Sequence, residues 1–137
     1  MKRSFCFLLI FGLLITLCAC TGVSSREKAE NAILSEIRTK CYAYDAYVSV
    51  YLEEVEFKEI IKSEDRWVAK GELEVLLEAK TYAGEFTATI DGEVVEVESS
   101  VLDDVRNIGS RAQREKIKEK YDIEDKVNEA LNKYYNN

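Results

Sequence analysis

The sequence predicts an α+β fold: an N-terminal helix packed on a four-stranded antiparallel meander and followed by C-terminal helices. Three observations carry this. Apolar residues recur every four positions at Ala29, Ile33, Ile37 and Cys41, the spacing of one helix face. The period drops to two from Tyr44 to Val97, interrupted by turn-forming residues. Helical spacing returns after Ser100.

The first helix is expected from about Ser25 to Tyr42, opened by Ser24 and Glu27 at capping-box spacing. In the first strand Val48, Val50 and Leu52 share one face, and Tyr47, Ser49 and Tyr51 share the other. Parity then flips, because Val55, Phe57 and Ile61 are odd-numbered. One extra residue near Glu53-Glu54 restores the register, which predicts a β-bulge there. Ser63-Glu64-Asp65 supplies a turn. A long second strand alternates Trp67, Ala69, Leu73, Val75, Leu77 and Ala79 with outward Lys70, Glu72, Glu74 and Glu78. Tyr82-Ala83-Gly84 is expected as a loop, leading to a third strand with Phe86, Ala88 and Ile90 on one face. Asp91-Gly92 is the strongest hairpin signal, returning a fourth strand over Val94–Val97.

At the C-terminus Ser100 is expected to cap a short helix ended by Gly109. Ser110 and Gln113 open a second helix through about Lys120. Asp122 caps a last one, with Ile123, Val127, Leu131 and Tyr134 along one stripe. The chain has no proline.

The residues before this fold form an export signal. Lys2 and Arg3 make a basic start, an apolar run follows from Phe5 to Leu17, and small Ala19 precedes Cys20. The string Leu17-Cys18-Ala19-Cys20 resembles the lipobox of prokaryotic lipoproteins. The resemblance implies cleavage between Ala19 and Cys20 and attachment of lipid, palmitate included, to Cys20. The chain then divides into a signal peptide (1–19), a lipid-anchored tether (20–25) and one α+β domain (26–137). Two or more acyl chains anchor firmly, so the protein is expected on the outer side of the cytoplasmic membrane or in the outer membrane. The alternative is an uncleaved N-terminal signal anchor, although the apolar run is shorter than the roughly 20 residues that span a bilayer.

The order helix, four-stranded meander, helices also resembles the cystatin-like fold over about residues 24–98. That resemblance implies a scaffold and no activity. Inhibitory cystatins carry Gln-x-Val-x-Gly in a hairpin, whereas Trp67-Val68-Ala69-Lys70-Gly71 matches only at the glycine. Without proline, their Pro-Trp loop is missing as well.

Removing the leader takes two basic and no acidic side chains from 19 Lys and Arg against 26 Asp and Glu, leaving a net charge of −9. Such a balance argues against nucleic acid, which needs a basic footprint, and against adsorption on anionic headgroups. Cys41 is the one cysteine left, either a buried inert thiol or a reactive one. The absence of histidine removes imidazole acid–base chemistry, His-activated nucleophiles and imidazole metal sites. No cofactor and no metal site is expected, and no catalytic residue is assigned.

What remains is carboxylates and tyrosines. Glu72, Glu74 and Glu78, with Glu96 and Glu98, make either a solvated sheet face or an oxygen-rich cluster able to take Ca²⁺ or act as an acid–base pair. Tyr47 and Tyr51, with Trp67, are candidates to line an apolar or aromatic binding patch. Arg106–Lys120 holds six basic residues against two acidic ones, either a solvated helix or a contact surface. The favoured reading is a non-enzymatic envelope protein that binds a partner protein or envelope component, and it requires an exposed apolar patch after folding. A small-ligand carrier would instead need a cavity between sheet and helix, lined by Trp67, Phe86 and tyrosines. A carboxylate-dependent hydrolase would need two glutamates converging in a cleft.

Overall fold

The computed structural model describes residues 25–136. Helix α1 spans Arg26–Cys41, strands β1 Val50–Ser63, β2 Arg66–Leu77, β3 Lys80–Asp91 and β4 Val94–Ser99, and helix α2 Ser100–Tyr135. The strands form one antiparallel meander in the order β1-β2-β3-β4. Helix and meander match the expected order; the C-terminus is a single helix. Ala19 and Cys20 lie outside the described residues, as does Ser24.

Helix α1 is capped by Ser25, whose hydroxyl accepts the Lys28 N–H at 3.3 Å. Its apolar stripe is fully buried at Ala29, Ile33, Ile37 and Cys41. The helix touches both outer strands. Tyr42 hydroxyl accepts the N–H of Leu52 on β1 at 3.0 Å, and Lys40 Nζ donates to the Val97 carbonyl on β4 at 3.1 Å. Both bonds occupy backbone groups of edge strands, which otherwise have no sheet partner. Burial pushes the Cys41 thiol up to about 11, so it stays protonated and unreactive at neutral pH.

Segment 42–48 is a turn rather than the start of a strand, held by the Tyr44 carbonyl accepting from Tyr47 N–H (2.9 Å) and Val48 N–H (3.1 Å). β1 then carries two register breaks against β2, one between Leu52 and Glu54 and one between Phe57 and Glu59. The first is the expected bulge. The second returns the parity to even, so Ile60 packs on the core while Ile61 stands exposed on the outer face. Ile61 was expected inside; the second bulge is the reason it is not. At each break two consecutive charged residues, Glu53-Glu54 and Lys58-Glu59, are exposed.

β2 and β3 meet at a two-residue turn, Glu78-Ala79, and not at Tyr82-Ala83-Gly84, which lies inside β3. Both turn residues have positive φ, 49° and 64°, the hairpin geometry that glycine and asparagine usually supply. Tertiary bonds hold them there. Glu78 carboxylate accepts the Ser49 N–H at 2.7 Å, and Glu78 N–H donates to the Ser49 carbonyl at 3.0 Å. The Asp91-Gly92 signal is realised as expected, with Gly92 at φ 62° opening the β3–β4 turn.

The core face of the sheet collects Leu73, Val75 and Leu77 of β2, Phe86, Ala88 and Ile90 of β3, and Val97 of β4. Val101, Leu102 and Val105 of α2 close over it. Among the described residues, the buried hydrophobic side chains lie between Ala29 and Val105. Phe86 is the largest of the fully buried side chains and meets Phe57 edge-on at 5.5 Å.

The two expected breaks in the C-terminal helix, at Gly109-Ser110 and before Asp122, do not occur. Ser99, not Ser100, is the N-cap, accepting the Val101 N–H at 3.2 Å. Gly109 is interior. A Cβ there would stand 2.5 Å from Tyr44 Cβ and Cγ, so the glycine allows a close approach and does not end the helix. Ser110 hydroxyl donates to the Arg106 carbonyl one turn back, which satisfies it without a cap. Asp122 passes unnoticed at an exposed position, since neither glycine nor proline precedes it to stop the helix.

Candidate interaction surface

Helix α2 has 36 residues, about 54 Å at 1.5 Å per residue. Its first third packs on the domain through Val101, Leu102 and Val105, with Gly109 against Tyr44 of the 42–48 turn. From Arg114 to Asn136 every residue is exposed, a projection about 33 Å long. Lys116 reaches back to the body, its Nζ 3.4 Å from the Ala46 carbonyl and 5.9 Å from the Tyr47 ring centre.

The projecting half is amphipathic. Ile117, Tyr121, Ile123, Val127, Leu131, Tyr134 and Tyr135 are all exposed, from 45% at Ile117 to 79% at Tyr134. At 100° per residue, Ile123, Val127 and Tyr134 continue the line along which Val105 and Gly109 are buried against the domain. The same face is thus covered by the domain in the first third and bare afterwards. A monomer seldom leaves a contiguous apolar strip of this length in water unless something covers it. A single helix of this size gains little stability alone, and its i,i+4 pairs such as Lys120–Glu124 (4.0 Å) add only tenths of a kcal/mol.

The three aromatic candidates are not brought together. Tyr47 sits half-buried in the 42–48 turn under Lys116. Tyr51 lies on the outer face of β1, 61% exposed and paired in register with Leu76. Trp67 faces the core from the far end of β2, buried, with Lys62 Nζ 5.6 Å from its ring centre. Nine residues of β2 separate Trp67 from Leu76, about 30 Å of strand. A hollow beside the sheet is lined by Lys40, Tyr44, Val97, Leu102 and Arg106, without Trp67 or Phe86.

The carboxylates gather differently from expectation. Glu72 and Glu74 face outward beside Glu54 and Glu56 of β1 and Glu85 of β3, around a hollow of about 310 Å³. Glu78 is drawn off into its turn, and Glu96 and Glu98 lie on β4, paired with Thr89 and Thr87. Lys58, at the second bulge, donates to Glu72 at 2.6 Å. That hydrogen bond, with the negative charge of Glu72, Glu56 and Glu85, raises the Lys58 pKa. The Glu74 pKa is also raised, by a side-chain hydrogen bond with Glu53, by desolvation and by the Glu53 charge. Among the described residues no group of three or more acidic or cysteine side chains is arranged to hold a metal ion.

The Glu53–Glu74 bond needs one proton. A raised folded-state pKa means its stabilising contribution is present in acid and lost as pH rises through that pKa. Glu74→Gln keeps a donor at every pH. Its stability relative to the parent should therefore rise from mildly acidic to neutral pH, read from urea unfolding midpoints; a constant difference would refute the shared proton.

The bare strip was only half legible in the sequence. Its residues are the stripe read from Ile123 to Tyr134, but their exposure follows from the helix continuing through Gly109 and Asp122. No helix among the described residues is long and apolar enough to cross a membrane. No known protein family, curated protein or solved structure matches the chain.

Proposed function

We propose that this is a lipid-anchored cell-envelope protein of non-enzymatic type, which docks a protein partner through the projecting half of α2. The bare apolar strip carries the reading, because partner binding is the function that needs such a surface after folding. Export and lipid attachment rest on Leu17-Cys18-Ala19-Cys20, with Cys20 as the lipid site. The tether of residues 21–25 would extend about 17 Å at most, holding the folded domain close to the membrane face.

Two measurements test this. A photo-reactive side chain at Val127 in intact cells should give a discrete cross-linked protein band, and the same probe at Lys118, off the strip, should give far less. Equal labelling at both positions, or none at Val127, would sink the docking assignment. Cys20→Ala should block processing, so that the chain keeps the mass of its leader and is mislocalised; unchanged fractionation and mass would favour the signal anchor.

A further inference from the structure

Along the projecting helix Ile117, Glu124 and Leu131 recur every seven residues, as do Lys120, Val127 and Tyr134. The two series interlock at spacings of three and four, the a and d positions of a coiled-coil seam. Ile123 and Ala130 flank the seam on one side, Tyr121 and Tyr135 on the other. Two seam positions are charged and opposite in sign, Lys120 and Glu124. Both are exposed, and within one helix they stand 4.0 Å apart.

We infer that the partner is a second copy of this chain, paired antiparallel through this seam about a two-fold axis near Asp122. The assignment rests on the docking role given to α2 above. An axis there sets Lys120 against the partner's Glu124, and Glu124 against the partner's Lys120. In the same register Ile117 meets the partner's Val127, and Ile123 and Tyr121 each meet their own copies across the axis. Seam layers of a with d are what antiparallel pairing produces. A parallel pair would stack Lys120 on Lys120 and Glu124 on Glu124, two like-charged layers.

The charge blocks agree. Residues 111–120 carry five basic and two acidic side chains, and residues 121–135 four acidic and two basic. Antiparallel pairing lays the basic block of one helix on the acidic block of the other; parallel pairing opposes like to like. Membrane-surface binding fits less well, because an interfacial helix carries Lys and Arg along its whole polar face, and here half of that face is acidic. A polar pair within an apolar seam also fixes register at some cost in stability, which gives these two charges a structural reason.

The test uses residues 25–137, which contain the whole helix–meander–helix unit and every buried hydrophobic side chain among the described residues. Sedimentation should show a concentration-dependent dimer. Lys120→Glu and Glu124→Lys, each alone, should weaken it by about tenfold or more in Kd, since each sets like charges across the axis. Mixing the two single variants should restore dimer, because every 120–124 contact is then between opposite charges; the double variant in one chain should do the same. Circular dichroism on each variant controls for loss of helix. Ile117→Cys and Val127→Cys chains should form a disulfide dimer with each other and not with themselves, which a parallel pair would reverse. A monomer at all concentrations, or single variants that stay apart on mixing, overturns the inference. If the Val127 photo-probe then still captures a different protein, docking stands without self-pairing; if it captures nothing, both fail. Monomers that bind anionic vesicles through α2 would also overturn it.

Discussion

Phe86→Ala should lower stability by about 3–5 kcal/mol, the usual cost of deleting a buried phenylalanine ring. Phe86 is 1% exposed and packs between β2 and the bulged strand β1. Its ring meets Phe57 edge-on and lies over Gly71, which has no side chain to fill the space left behind. Neighbours around a glycine collapse poorly, so the cavity term should be near its upper range. Equilibrium urea unfolding measures the loss; a change below about 1 kcal/mol would show that the ring is not the keystone its burial implies. At the usual domain stability of 5–15 kcal/mol the variant would still fold in part. The projecting half of α2 should be unaffected in helical content, since it touches little of that core.

Local chemistry made some of these elements legible and tertiary contacts hid others. The bulge at Glu53 could be read because apolar parity changes there, and Asp91-Gly92 because glycine readily takes positive φ. The Glu78-Ala79 turn carries no such residue. It is held by two bonds to Ser49, twenty-nine positions away, and nothing local announces it. Tyr82-Ala83-Gly84 misleads for the converse reason: Gly84 lies under Val101 of α2, 3.0 Å from where its Cβ would be, so it serves close packing inside a strand. Gly109 repeats that pattern against Tyr44. At Lys58 the adjacent Ile60 and Ile61 both look apolar, and only the pairing with β2 decides which one faces in. The aromatic patch at Tyr47, Tyr51 and Trp67 depended on where β1 begins; a turn at 42–48 takes Tyr47 off the strand altogether. The docking strip was visible as a pattern, but its lack of cover is a property of the three-dimensional arrangement.

Gly71→Ala should be nearly as damaging as the loss of Phe86, at about 3 kcal/mol, toward the top of the range for overpacking. A methyl at that position would collide with the backbone carbonyl of Glu56 and stand 2.7 Å from Phe86 Cε1. The two obstacles differ in kind. A ring can tilt, whereas the carbonyl belongs to β1, one residue before Phe57, which pairs with Gly71, and two before the second bulge. Moving it means separating β1 from β2 where the strand is already bent. A glycine inside a strand commonly marks such a close backbone approach. Comparing Gly71→Ala in the parent and in the Phe86→Ala background separates the two. If the carbonyl dominates, the alanine costs almost the same in both, with a coupling energy of about 1 kcal/mol or less. Full rescue by Phe86→Ala would place the conflict in the ring instead and leave β1 free to accept a side chain beneath it. The first outcome ties the bulge at Lys58, and with it the outward turn of Ile61 and the Lys58–Glu72 pair, to the single position on β2 that carries no side chain.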